Sequence, residues 1–142
     1  MSFSEALTKA WKAVELARRE VDEYRKDREP LRLRNACEKG WLAVVLATDA
    51  LLVALGYGKP ESYRERRELL GKLEREKPEI ARLGLRDRFG ARGYYLHVQG
   101  YHEGALGADE VAEELEKVER YVGDVERIVE SERSAHVERA KA

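Results

Sequence analysis

Cysteine is nearly missing from this chain. Cys37 is the only one, so no intramolecular disulfide can form and no thiolate cluster can hold a metal. Its setting between Ala36 and Gly40 suits a small buried hydrophobe. Proline occurs only at positions 30, 60 and 78 and leaves long uninterrupted segments for helices. No long apolar run is present. The longest, WLAVVLATDALLVAL, contains Thr48 and Asp49 and falls short of the roughly 18 residues of a membrane span. It predicts a buried helix and no membrane partner. The N-terminus has no basic start followed by an apolar core, so no signal peptide is expected and the cytoplasm is the expected compartment. Strand-like alternation and internal repeats are also missing. A net charge of -1 argues against a general polyanion binder, although a local basic patch remains open.

Charged residues make up 39% of the chain, against about 25% in an average protein, and apolar residues recur between them at helical spacing. The signs are mixed at the spacing of intrahelical ion pairs. Methionine and cysteine are scarce while glutamate and arginine are plentiful, which resembles a thermophilic composition. At 142 residues, one domain spanning residues 1–142 is expected.

The periodicity predicts a helix from about Ser4, as cap, to Asp27, where Pro30 forces a break. A second runs from Pro30 to Leu55 and is apolar almost all round from Gly40, with Ala36, Gly40, Ala43, Ala47, Ala50 and Ala54 allowing close neighbours. GYGKP ends it. A short charged helix covers Glu61 to Glu76, and another runs from Leu85 to His102. The last starts near Ala108, with Asp109 as its cap, and frays in SERSAHVERAKA. The expected fold is all-α: an antiparallel four-helix bundle with one additional short helix.

Chemistry concentrates in RGYYLHVQGYHEG, residues 92–104. On an α-helix Arg92 and His97 project about 140° apart, with room for both at the edge of one groove. Arg88, Arg92 and Gln99 form one row, and Tyr94, His97 and Tyr101 another. A guanidinium can hold a phosphate and an imidazole can move a proton near neutrality. Tyrosines can stack on bases. Together they suit cleavage of RNA by its own 2′-hydroxyl, or binding without chemistry, or simple packing of the tyrosines with His97 in one core hydrogen bond. His97, His102 and His136 do not share an α-helical face and no HExxH spacing occurs, so no metal and no other cofactor is expected.

Two segments, NACEKGWLAVVLATDALLVALG and RGYYLHVQGYHEG, carry a resemblance to the HEPN superfamily of small helical bundles. The likeness is closest to its archaeal repeat-associated relatives. HEPN ribonucleases carry an arginine, four to six residues and a histidine, which matches Arg92, GYYL and His97. The leucine–histidine pair of the archaeal relatives resembles Leu96-His97, followed by the aromatic stretch through Tyr101. The resemblance implies a homodimer and, in an active member, a metal-independent ribonuclease with Arg92 on the phosphate and His97 on the proton. It implies equally a non-catalytic member: a nucleic-acid-associated or toxin–antitoxin-type binding module, or a dimeric structural protein or partner of a nucleotidyltransferase. Gly93 follows Arg92 where catalytic members carry a polar residue.

Tyr94, Tyr101, Arg88, Gln99 and Asp49 are the candidate binding residues beside Arg92 and His97. Asp49, inside the apolar run, needs a partner. It either anchors Arg92 or His97 across the bundle or pairs with another arginine. Glu38 reads as a surface residue within reach of Arg92 or the tyrosines. The arginine-rich stretch from Arg64 to Arg92 offers an RNA-contacting face, or one whose charges are answered by interspersed acids and by the acidic last helix. Trp11 and Trp41 read as core or interface anchors.

Overall fold

A computed structural model describes residues 2–141. They form α1 (Phe3–Asp27), α2 (Pro30–Ala54), α3 (Tyr63–Glu76), α4 (Pro78–Ala81), α5 (Leu85–Arg92), a π-helical segment (Gly93–His102) that continues α5, and α6 (Ala108–Lys141). No strand occurs among the described residues, so the all-α expectation holds.

Several boundaries move, each for a local reason. Ser2 rather than Ser4 caps α1, with its hydroxyl accepting from the Glu5 N–H at 3.1 Å. Arg28 turns the chain at φ 59°, and Glu29 caps α2 with Pro30 in its first turn. α3 begins two residues later than expected because Ser62 caps it through the Glu65 N–H. Pro78 starts a further single turn, α4. Asp109 lies inside the first turn of α6, not at its cap, and meets Arg25 at 3.3 Å. The C-terminal stretch expected to fray stays helical to Lys141, with pairs such as Arg139–Glu132 along it.

The helices pack through small residues. α1 lies along α2, with Ala10 and Ala17 of one helix and Ala36, Ala43 and Ala47 of the other sealed in the core. α6 covers both through Val111, Leu115, Val118, Val122 and Val125, all fully buried. Thr48, in the middle of α2, donates its hydroxyl to the Val44 carbonyl at 2.7 Å. The proton of the 2.6 Å bond between Thr48 Oγ1 and the buried Tyr121 hydroxyl therefore comes from Tyr121. Leu96 pins the π-helical segment onto α2. It is fully buried where Gly40 leaves space that Leu115 of α6 also enters. That anchor fixes where the next residue, His97, emerges.

Candidate functional site

The change of winding after Arg92 decides the geometry. A π-helix closes its hydrogen bonds over five residues, so side chains five apart become neighbours. The Glu103 N–H donates to the Val98 carbonyl at 3.0 Å. Gln99 Nε2 donates to the Tyr94 hydroxyl at 3.2 Å, and His102 Nε2 lies 3.1 Å from His97 Nε2. Both pairs are five residues apart. The α-helical projection, which separated His97 from His102 and joined Arg88, Arg92 and Gln99 in a row, does not apply here.

Gly100 shows how the segment is pressed onto α2. A β-carbon there would stand 2.8 Å from Cys37 Cβ, nearer still to the sulfur, and 3.2 Å from the Tyr95 carbonyl. Only glycine lets the backbone come so close. Cys37 is itself buried, and burial pushes its thiol up from the ordinary 9.0 to about 12.

Arg92 and His97 occupy different surroundings. Arg92 is 6% exposed, and its Nε donates to Glu114 Oε2 of α6 at 2.7 Å. Glu114 is also buried and takes a second cation, Lys117 Nζ, at 3.3 Å. The Nε edge of the guanidinium is thus committed to a buried ion pair inside the chain.

His97 is half-buried and opens on a groove of about 410 Å³ lined by Trp41, Val45, Tyr63, Gly93, Tyr94 and Val98, with Arg66 and Gly90 completing the wall. Trp41 is the floor. Its ring lies 6.0 Å from His97, 6.1 Å from Tyr63 and 5.2 Å from the fully buried Phe89. Tyr63 and Tyr94 are exposed at the rim. Tyr101 stacks on His97 with ring centroids 6.1 Å apart and planes within 15°. Behind His97, its Nδ1 meets Glu38 Oε2 at 3.2 Å. A carboxylate only accepts, so Nδ1 carries the proton, and in the neutral imidazole Nε2 then presents a lone pair.

The other expected site residues serve the fold or the rim. Asp49 takes the second of its two expected options, another arginine. Arg66 Nε and Nη2 hold its oxygens at 2.7 and 3.0 Å. Arg88 meets Asp124 of α6 at 2.8 Å, donates to the Leu83 carbonyl and lies over the Tyr121 ring. Gln99 ties Tyr94 to Glu103 on the surface. Four of the eight arginines from Arg64 to Arg92 meet acids: Arg64 on its own helix, Arg66 on α2, and Arg88 and Arg92 on α6. Trp41, Tyr63, Arg66 and Glu38 are groove or support residues that the motif did not single out. The spacing of Glu38, Leu42, Val45 and Asp49 does mark one face of α2, and Trp41 stands beside it. That stripe was the available signal.

The archaeal PaREP1/PaREP8 family matches residues 12–122. The chain belongs to this family. The match takes in α2, α3, α5, the π-helical segment and Glu114, so every residue of the groove and of the buried ion pair lies within the PaREP1/PaREP8 region. No curated protein and no solved structure matches the chain. Among the described residues, no group of three or more His, Cys, Asp or Glu side chains could enclose a metal ion, and no helix is long and apolar enough to cross a membrane.

Proposed function

We propose that this PaREP1/PaREP8 chain is a nucleic-acid-associated binding module of HEPN-like, four-helix-bundle type, and that it holds single-stranded RNA in its aromatic groove without cleaving it. One observation carries the reading. His97 opens on an aromatic groove while Arg92, the residue that would hold the scissile phosphate, is buried against Glu114. An arginine that holds a scissile phosphate must turn its guanidinium to the groove; this one is 6% exposed and gives its Nε to Glu114.

The groove has the right kind of lining. Its volume falls within the roughly 300–1,000 Å³ of small-ligand sites. Unpaired bases stack on exposed rings such as Tyr63 and Tyr94, with each stack worth about 1–3 kcal/mol. Arg66 lines the same wall and spends only two of its donors on Asp49. Tyr95 and Val98, exposed beside Tyr94, supply an apolar strip for the homodimer that this reading includes. Light scattering of the purified chain measures that stoichiometry.

Trp41 reports on the groove directly. Titration with a short single-stranded RNA should change its fluorescence, and Tyr94→Ala should weaken binding about 10-fold, since a lost stack of about 1–3 kcal/mol corresponds to that order. The far-UV spectrum of the variant should stay unchanged. Wild-type protein that binds no RNA, or a Tyr94→Ala variant that binds as well as wild type, contradicts the reading.

A further inference from the structure

We propose that His97 and His102 form a two-histidine site for a divalent transition-metal ion that favours imidazole, such as Zn²⁺, with Glu38 as the residue that orients His97. The π winding brings the two Nε2 atoms to 3.1 Å. Zinc–imidazole bonds of about 2.0–2.1 Å, meeting at a right or tetrahedral angle, place their nitrogens about 2.9–3.4 Å apart. The rings are already at that separation.

The support behind the first ring has the form that metal-bound histidines use. Glu38 Oε2 accepts the Nδ1 proton of His97 at 3.2 Å, which fixes the tautomer and turns the Nε2 lone pair outward. The Trp41 and Tyr101 rings pack near the His97 ring, with centroids 6.0 and 6.1 Å away. His102 is exposed, so an ion can arrive from solvent. Without metal, His102 Nε2–H donates to His97 Nε2. Binding requires His102 to carry its proton on Nδ1 instead, a tautomer change through solvent with no net loss of protons. Two neutral imidazoles suit Zn²⁺, Ni²⁺ or Cu²⁺ and not Mg²⁺ or Ca²⁺, which need oxygen ligands. Cys37 is no competitor, because its thiol is sealed under Gly100 and held protonated. The other coordination positions are left to water or to an anion arriving along the groove that His97 lines.

The test is a zinc titration of the untagged full chain, followed by calorimetry in a non-chelating buffer with no RNA present, so its outcome is independent of the groove's ligand. The expected result is one Zn²⁺ per chain. His102→Ala should bind at least about 10-fold more weakly, and Glu38→Gln about 10-fold more weakly. His136→Ala, which removes the third histidine, should bind as wild type. In the histidine ring ¹⁵N spectrum, zinc should shift the Nε2 signals of residues 97 and 102 and leave those of 136 in place. Absence of binding at about 1 mM zinc, equal affinity in His102→Ala, or a shift confined to His136 overturns the proposal.

Discussion

Removing the acid from the Arg92–Glu114 pair should cost far more stability than a surface substitution. Both side chains are more than nine-tenths buried, and the 2.7 Å contact is the only charged contact to Arg92 among the described residues. Taking one partner from a buried ion pair costs about 3–5 kcal/mol, because the other charge is left unanswered. The two directions are not equal. Glu114 keeps Lys117 at 3.3 Å when Arg92 is removed, so Arg92→Met should cost about 2–3 kcal/mol. Arg92 has no such substitute, so Glu114→Leu should bear the full 3–5 kcal/mol or so. The double variant replaces the pair by apolar groups and should recover at least about 2 kcal/mol of the summed losses. With a urea slope of about 2 kcal/mol per molar, Glu114→Leu moves the unfolding midpoint down by about 1.5–2.5 M. Urea melts of the four proteins measure the cycle. A midpoint shift below about 0.3 M in Glu114→Leu, or strictly additive losses in the double variant, would show that the pair does not hold Arg92 as described.

Two further perturbations probe the packing of the π-helical segment. Gly100→Ala would stabilise an ordinary helix by about 1 kcal/mol, but here the new methyl meets Cys37 and should destabilise by about 1–3 kcal/mol, partly recovered by adding Cys37→Ala; a raised melting temperature in Gly100→Ala refutes the close approach. Cys37 should resist Ellman's reagent at neutral pH in the native protein and react at once in urea. Its folded pKa is raised above the unfolded value, so its contribution to stability is intact below pH 9.0 and is lost as pH climbs toward about 12. The decline over that window should be shallower in Cys37→Ala, and an equal decline in both proteins refutes it.

The helices were legible from sequence because their information is local. Apolar spacing marks α1, α2 and α6, and Pro30, Pro60 and Pro78 punctuate them. The starts of α1 and α3 shift because the hydroxyls of Ser2 and Ser62 accept from the Glu5 and Glu65 N–H groups and set the first turns there. The site was less legible because its decisive features are tertiary. Nothing within residues 92–104 announces π winding; it accompanies Gly100 pressed on Cys37 and Leu96 wedged at Gly40, contacts made with α2. An angle of about 100° per residue therefore placed His102 on the wrong side of His97. The burial of Arg92 depends on Glu114, on the far side of a turn and in another helix. Asp49 could be read as needing an arginine, but which arginine was set by the docking of α3.

Binding without cleavage is decided by metal-free incubation of single-stranded RNA with wild-type protein, Arg92→Ala and His97→Ala, followed on gels beside the binding titration. The wild type should bind RNA without forming product, and neither variant should differ in product from a no-protein control. Product formed by the wild type and abolished in folded Arg92→Ala and His97→Ala alike would contradict it and return both residues to one active site.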